Sequence, residues 1–184
     1  MPRSELLRQL DPIFNPKRVA VVGASNAPGK WGYSLMERPL KSAFPGEVIP
    51  VNPREPEVQG HTAYPSVLAI PGAVDLAVLT VPAETATEVL RQCAEKGIRG
   101  AVIITAGFGE GGPDGEALQA ELLRVARETG IRFVGPNCNG MWSASARLSL
   151  FSNRAPRAGH IAFISQSGAF GGALLSAADE RGYG

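Results

Sequence analysis

The chain has 184 residues, 44% of them apolar and 19% charged, with a formal net charge of +1. That is enough for one well-buried domain and part of another, and the near-neutral balance argues against nucleic acid or a membrane surface as a partner. Two cysteines, Cys93 and Cys138, make neither a disulfide framework nor a zinc site, so no metal is expected.

The first ten residues lack the apolar core of a signal peptide, and no stretch approaches the roughly 20 apolar residues of a membrane span. The expected compartment is therefore the cytoplasm. Apolar, β-branched runs at 18–23 and 47–51 read as strands, with a short edge strand at 61–64. Buried strands follow at 75–81, 100–106 and 131–135. Between them, 33–43 carries Leu35, Met36 and Leu40 at helical spacing, with Pro39 expected to end or kink that helix early. Residues 84–96 and 116–129 are amphipathic helices, closed by Gly97 and Gly130 at C-cap positions.

Continuous apolar strands alternating with amphipathic helices predict an α/β fold with a mostly parallel sheet covered on both faces. Right-handed crossovers then bring every strand's C-terminal end to one edge. The segments at that edge are Gly23-Ala24-Ser25, Val51-Asn52-Pro53-Arg54, Val81-Pro82-Ala83, Ala106-Gly107-Phe108-Gly109 and Gly135-Pro136-Asn137-Cys138. All are rich in Gly, Pro or small residues, as needed where backbone approaches a ligand.

The first of these loops, between Val22 and Gly32, is a strand-to-helix turn of the phosphate-cradling kind. Its glycines stand at 23, 29 and 32, so the dinucleotide fingerprint G-x-G-x-x-G is not matched. An NAD site would also place a carboxylate at the end of the second strand, where this chain has Val51-Asn52-Pro53-Arg54. Arg54, with Lys30 in the first loop, suits a ligand with phosphate on its ribose, either NADP or coenzyme A. Taken singly, each cation is as well explained as a solvated surface charge.

After Gly140 the pattern changes. Residues 141–158 lack periodicity and read as a linker, 159–165 as a new strand, and 169–181 as a helix after the turn Ser165-Gln166-Ser167-Gly168. The domain division is thus 1–140, a linker at 141–158, and the start of a second, flavodoxin-like α/β domain at 159–184, cut short by the chain's end.

In this order, Val19–Ser25, Ile49–Arg54, Thr80–Pro82, Ile104–Gly109, Gly135-Pro136-Asn137-Cys138-Asn139-Gly140 and Ile164–Gly168 resemble the α-subunit type of NDP-forming acyl-CoA synthetases. That family includes the succinyl-CoA synthetase α subunit. The wording is closest to the ADP-forming acetyl-CoA synthetases and to the synthetase-like part of bacterial protein acetyltransferases. The resemblance implies a Rossmann-like CoA-binding domain. In it Gly23, Ala24, Ser25 and Lys30 would lie against the CoA phosphates. Val51, Asn52, Pro53 and Arg54 would meet the adenosine end. Val81, Pro82, Ala106, Gly107 and Phe108 would follow adenine and pantetheine, with Asn137 and Cys138 near the thiol.

The family passes a phosphoryl group through a histidine of the second domain to a nucleotide bound by a grasp-type domain or β subunit. The turn Ser165, Ser167, Gly168 would hold that phosphate. Neither His61 nor His160 matches the histidine's position, so no catalytic residue is expected in this chain. The implied function is the CoA- or acyl-CoA-binding portion of an acid–thiol ligase, with a homo-oligomer left open. One alternative is a CoA-sensing module of a protein lysine acetyltransferase; a remoter one is an NADP-dependent oxidoreductase.

Overall fold

The computed structural model describes residues 3–153 and 157–184; positions 1 and 2, and 154–156 of the expected linker, lie outside the described residues. The strands are β1 (Arg18–Val22), β2 (Glu47–Val51), β3 (Glu57–Val58), β4 (His61–Thr62), β5 (Leu76–Leu79), β6 (Gly100–Ile103), β7 (Arg132–Val134), β8 (Trp142–Ser143) and β9 (Leu148–Ser149). The helices are α1 (Arg3–Phe14), α2 (Trp31–Lys41), α3 (Ala83–Lys96), α4 (Pro113–Thr129) and α5 (Gly168–Glu180).

One sheet carries the fold, in the order β2-β1-β5-β6-β7, every pairing parallel. The chain winds outward from β1 to β2 and then returns to β5 on the other side. The gap between the C-terminal ends of β1 and β5 is therefore a topological switch point, where doubly wound sheets bind ligands.

Strand residues alternate between two cores, as the two-residue period of a strand requires. Ala20, Val22, Ala77, Leu79, Ala101 and Ile103 face α3 and α4, whose Leu90, Cys93, Leu122 and Val125 complete that layer. Val19, Val21, Leu76, Val78 and Val102 face the other way, onto Ile13 of α1 and Leu35 and Met36 of α2. Helices on both faces explain why the strands read as unbroken apolar runs. Gly97 and Gly130 cap α3 and α4 in the left-handed conformation, at φ +88° and +75°. Pro39 sits inside the last turn of α2, which runs two residues beyond it to Lys41 rather than ending early. There the missing amide removes one hydrogen bond near a terminus.

Three elements differ from expectation. Helix α1 was not foreseen; it lays Ile13 over Gly100, where a Cβ would come within 2.9 Å of the Ile13 side chain. Residues 141–150 are packed structure rather than linker: β8 and β9 pair as an antiparallel hairpin, with Met141, Leu148 and Leu150 buried in the α2-side core. Residues 159–165 form no strand in the described structure, because no neighbouring strand offers them a ladder. Helix α5 does follow, but Ile161, Phe170, Leu174 and Tyr183 around it are exposed, and Ile164 is 98% exposed.

Candidate functional site

At the switch point, two missing methyl groups set the backbone. A Cβ on Gly32 would lie 1.9 Å from the Gly23 carbonyl oxygen, so α2 can start against β1 only with glycine there. Gly23 has φ +90°, and a Cβ on it would lie 2.5 Å from Thr80 Oγ1. These are the tight-turn and helix-packing roles of the dinucleotide fingerprint, met at a different spacing.

Side-chain amides then fasten the loop. Asn52 donates to the Ala24 carbonyl at 2.9 Å and accepts from the Arg54 and Glu55 amides at 2.8 and 3.2 Å. Asn26 donates to the Glu57 carbonyl at 2.9 Å and accepts from the Gln59 amide at 2.8 Å, and Gln59 reaches the Tyr33 carbonyl at 3.0 Å. Ser25 Oγ accepts from the Ala27 amide at 3.0 Å. Glu55, just beyond the expected carboxylate position, is held by Asn26 and Asn52 as part of the same fastening. Lys30, Pro53 and Arg54 project around it, exposed. Among the described residues, neither cation has an ion-pair partner within salt-bridge distance.

A cavity of about 530 Å³ opens beside this loop. Trp31 from the start of α2 forms one side; Thr80, Val81 and Pro82 after β5 form the floor. Ile104, Thr105 and Ala106 after β6, and Asn137, Cys138 and Asn139 after β7, complete it. Thr80 Oγ1 donates to the Val22 carbonyl at 3.0 Å and Thr105 Oγ1 to the Val81 carbonyl at 2.7 Å, tying neighbouring strand ends together. Asn137 takes φ +52°, a conformation asparagine tolerates better than most residues, with its amide on the Thr105 carbonyl at 2.8 Å. The volume and the mix of apolar walls with a few polar groups suit a small-molecule site.

Of the expected site residues, Val81, Pro82, Ala106, Asn137 and Cys138 line this cavity. Lys30, Asn52, Pro53 and Arg54 stand at the loops beside it instead. Three groups of expected residues are placed elsewhere. Phe108 is fully buried in the α3-side core and offers no ring to a ligand. The Gly107 and Phe108 amides are taken by the Glu110 carboxylate at 2.7 and 3.3 Å, and the Gly107 bond is the main reason its pKa falls below the ordinary value. Val51 and Ala24 are buried, and Gly23 spends its amide on the Val51 carbonyl at 3.0 Å. These three residues shape the loop from within.

The second turn reaches the same region. A Cβ on Gly168 would collide with Asn139, 1.7 Å from its Nδ2, so the start of α5 abuts the cavity's Asn139. Ser167 caps α5 by accepting from the Phe170 amide at 3.3 Å, and Ser165 Oγ accepts from the Ser167 amide at 3.0 Å. Cys138 donates its thiol to the Ile103 carbonyl at 3.3 Å, and burial pushes its pKa up. A nucleophile needs the reverse shift. His61 and His160 are exposed, and the described residues hold no cluster of three metal-ligating side chains. No helix among them is long and apolar enough to cross a membrane.

The family model for a CoA binding domain matches residues 17–143, from the entry to β1 through β8. The chain belongs to this CoA-binding family. Its domain is of the type found in ADP-forming acyl-CoA synthetases, as the relatives indicate. Over 90% of its length it is 48% identical to ADP-forming acetate–CoA ligase II subunit alpha of Pyrococcus furiosus, covering 36% of that protein. Over 95% of its length it is 45% identical to ADP-forming acetate–CoA ligase I of Archaeoglobus fulgidus, covering 25%. Among solved structures, dinucleotide-forming acetyl-coenzyme A synthetase 1 of Ca. Korarchaeum cryptofilum, in complex with phosphate and ADP, superposes with a TM-score of 0.83. It is 41% identical over 92% of this chain and 36% of that one. The chain thus spans about a quarter to two-fifths of the length of these ligase and synthetase relatives.

Reading this CoA-binding domain from sequence misses Trp31, Thr80, Ile104, Thr105 and Asn139 as cavity residues. All five lie inside a segment that was singled out, Trp31 in the first loop and the other four in segments that carry the resemblance, yet none is named there as a site residue. Side-chain direction at a strand's end depends on the turn that follows, and no periodicity records it.

Proposed function

We propose that this domain binds coenzyme A across the C-terminal edge of its sheet, as the acyl-carrier part of an ADP-forming acid–thiol ligase. The adenosine end lies over the β1 and β2 loops, with Lys30 and Arg54 on its phosphates. The pantetheine arm crosses the β5 and β6 ends, where Val81, Pro82 and Ala106 offer apolar surface. The thioester then comes to Asn137–Asn139, beside the turn of Ser165, Ser167 and Gly168. The observation that carries this reading is the cavity beside the switch point, with Lys30 adjoining its Trp31 and the second turn adjoining its Asn139.

The whole ligase converts acyl-CoA and phosphate to acyl phosphate and CoA. A histidine then takes the phosphoryl group, freeing the acid, and passes it to ADP. That histidine, and the nucleotide-binding grasp domain or β subunit, belong to parts outside residues 1–184. In this reading residues 159–184 open the second domain, and the compartment is the cytoplasm. Similarity to ligases along nine-tenths of the chain supports this over an acetyltransferase module.

The 3′-phosphate of CoA separates the alternatives. Arg54→Ala or Lys30→Ala should weaken CoA binding by about 1.5–3 kcal/mol, the range for a charge-assisted hydrogen bond. The responsible variant should no longer distinguish CoA from dephospho-CoA by calorimetry. If both variants keep the wild-type preference, neither cation reads that phosphate.

A further inference from the structure

Trp31 is a large aromatic residue left 42% exposed at the mouth of the cavity, on the first residue of α2. Seven residues along the helix, Arg38 sets its guanidinium over the indole, 5.0 Å from the ring centroid. That distance is within cation–π range. The guanidinium is also fixed at its other side: Nη1 donates to the Leu150 carbonyl at 3.1 Å. Leu150 is fully buried, and its amide donates to the Met141 carbonyl at 2.8 Å. Gly140, one residue past Asn139, packs against the same carbonyl: a Cβ there would lie 2.7 Å from the Leu150 oxygen. The Leu150 bond anchors the guanidinium in place over the indole, so Arg38 holds Trp31 at the cavity mouth.

We infer that the Trp31 indole is the wall against which the pantetheine arm of CoA lies, with Arg38 as the positioning residue that holds it. The inference rests on the CoA reading. Placement decides for pantetheine over adenine. The cavity follows the ends of β5, β6 and β7, whereas the loop bearing Arg54 follows β2, on the far side of β1. The cavity's Asn139 in turn abuts Gly168, so what fills it leads toward the second turn.

Fluorescence can read this, because the chain has two tryptophans and the other, Trp142, packs tilted against Phe151 with ring centroids 5.3 Å apart. In a Trp142→Phe variant excited beyond tyrosine absorption, Trp31 is the one remaining emitter. Its emission should respond to CoA and to 4′-phosphopantetheine but not to 3′,5′-ADP. Trp31→Ala and Arg38→Met should each weaken CoA roughly three- to tenfold in calorimetry. The double variant should bind no worse than Trp31→Ala alone, because Arg38 acts through the indole. Arg38→Lys, which keeps the charge and the cation–π contact, should recover part of the loss.

Heat of CoA binding without any change in Trp31 emission would overturn the inference. So would a response to 3′,5′-ADP instead of 4′-phosphopantetheine, or additive losses in the double variant. Absence of CoA binding to the wild-type chain would remove the CoA reading itself, and this inference with it.

Discussion

Gly32 fixes where α2 can begin, because the Gly23 carbonyl stands 1.9 Å from its absent Cβ. Gly32→Ala must push α2 off β1, and overpacking of this kind costs about 1–3 kcal/mol. Gly29→Ala is the control: it meets no neighbour and carries only the strain of φ +86°. Urea denaturation should rank Gly32→Ala below Gly29→Ala in stability, and only the former should also damage CoA binding. Cys93 makes a second, pH-dependent case. Burial pushes its thiol up to about 12 from 9.0. A pKa raised in the folded state stabilises below the unfolded value and is lost as pH rises. The stability that Cys93 confers should therefore be full below pH 9 and decline from there toward pH 12, while Cys93→Ala removes that part of the slope in melts across the range. Single residues were unevenly legible. Small and bent residues such as Gly23 and Asn137 announced the edge. The burial of Phe108 did not show, because an aromatic after a glycine reads the same whether it turns inward or out.

Strands and helices were legible wherever burial wrote its period into the chain. β1, β2, β5 and β6 are apolar because helices cover both faces, and Gly97 and Gly130 stop α3 and α4 where expected. Helix α1 escaped because Pro12 and its polar surroundings hide a thin apolar stripe, of which only Ile13 is fully buried. The hairpin of β8 and β9 escaped because two-residue strands carry no period. Between elements, Asn52 clips the β2 loop to the β1 loop through its bond to the Ala24 carbonyl while accepting two amides of its own loop. Asn52→Ala leaves those groups without their partner, a loss of about 1–3 kcal/mol. It should lower the urea midpoint and weaken CoA together; loss of neither would show that the loops hold without it.

At the scale of the whole molecule, the described structure is one covered sheet with a bare C-terminal end. Ile161, Ile164, Phe170, Leu174 and Tyr183 are exposed within one short stretch, and isolated exposed apolar residues are ordinary where such a run is not. The ligase relatives are longer, this chain spanning 36% of the Pyrococcus furiosus subunit. Sequence reading could name the second turn but not its surroundings, because the expected strand at 159–165 has no partner strand among the described residues to set its place. On this account residues 1–184 incubated with acetyl-CoA, phosphate and ADP should form no ATP in a luciferase assay. ATP formation would place the phosphoryl carrier inside this chain after all. The ligand itself is settled by titrating the wild-type chain with CoA, NADP and NAD in one calorimetric series. CoA should bind, NADP should bind more weakly through its ribose phosphate alone, and NAD should give no heat; NADP binding more tightly than CoA would contradict the assignment.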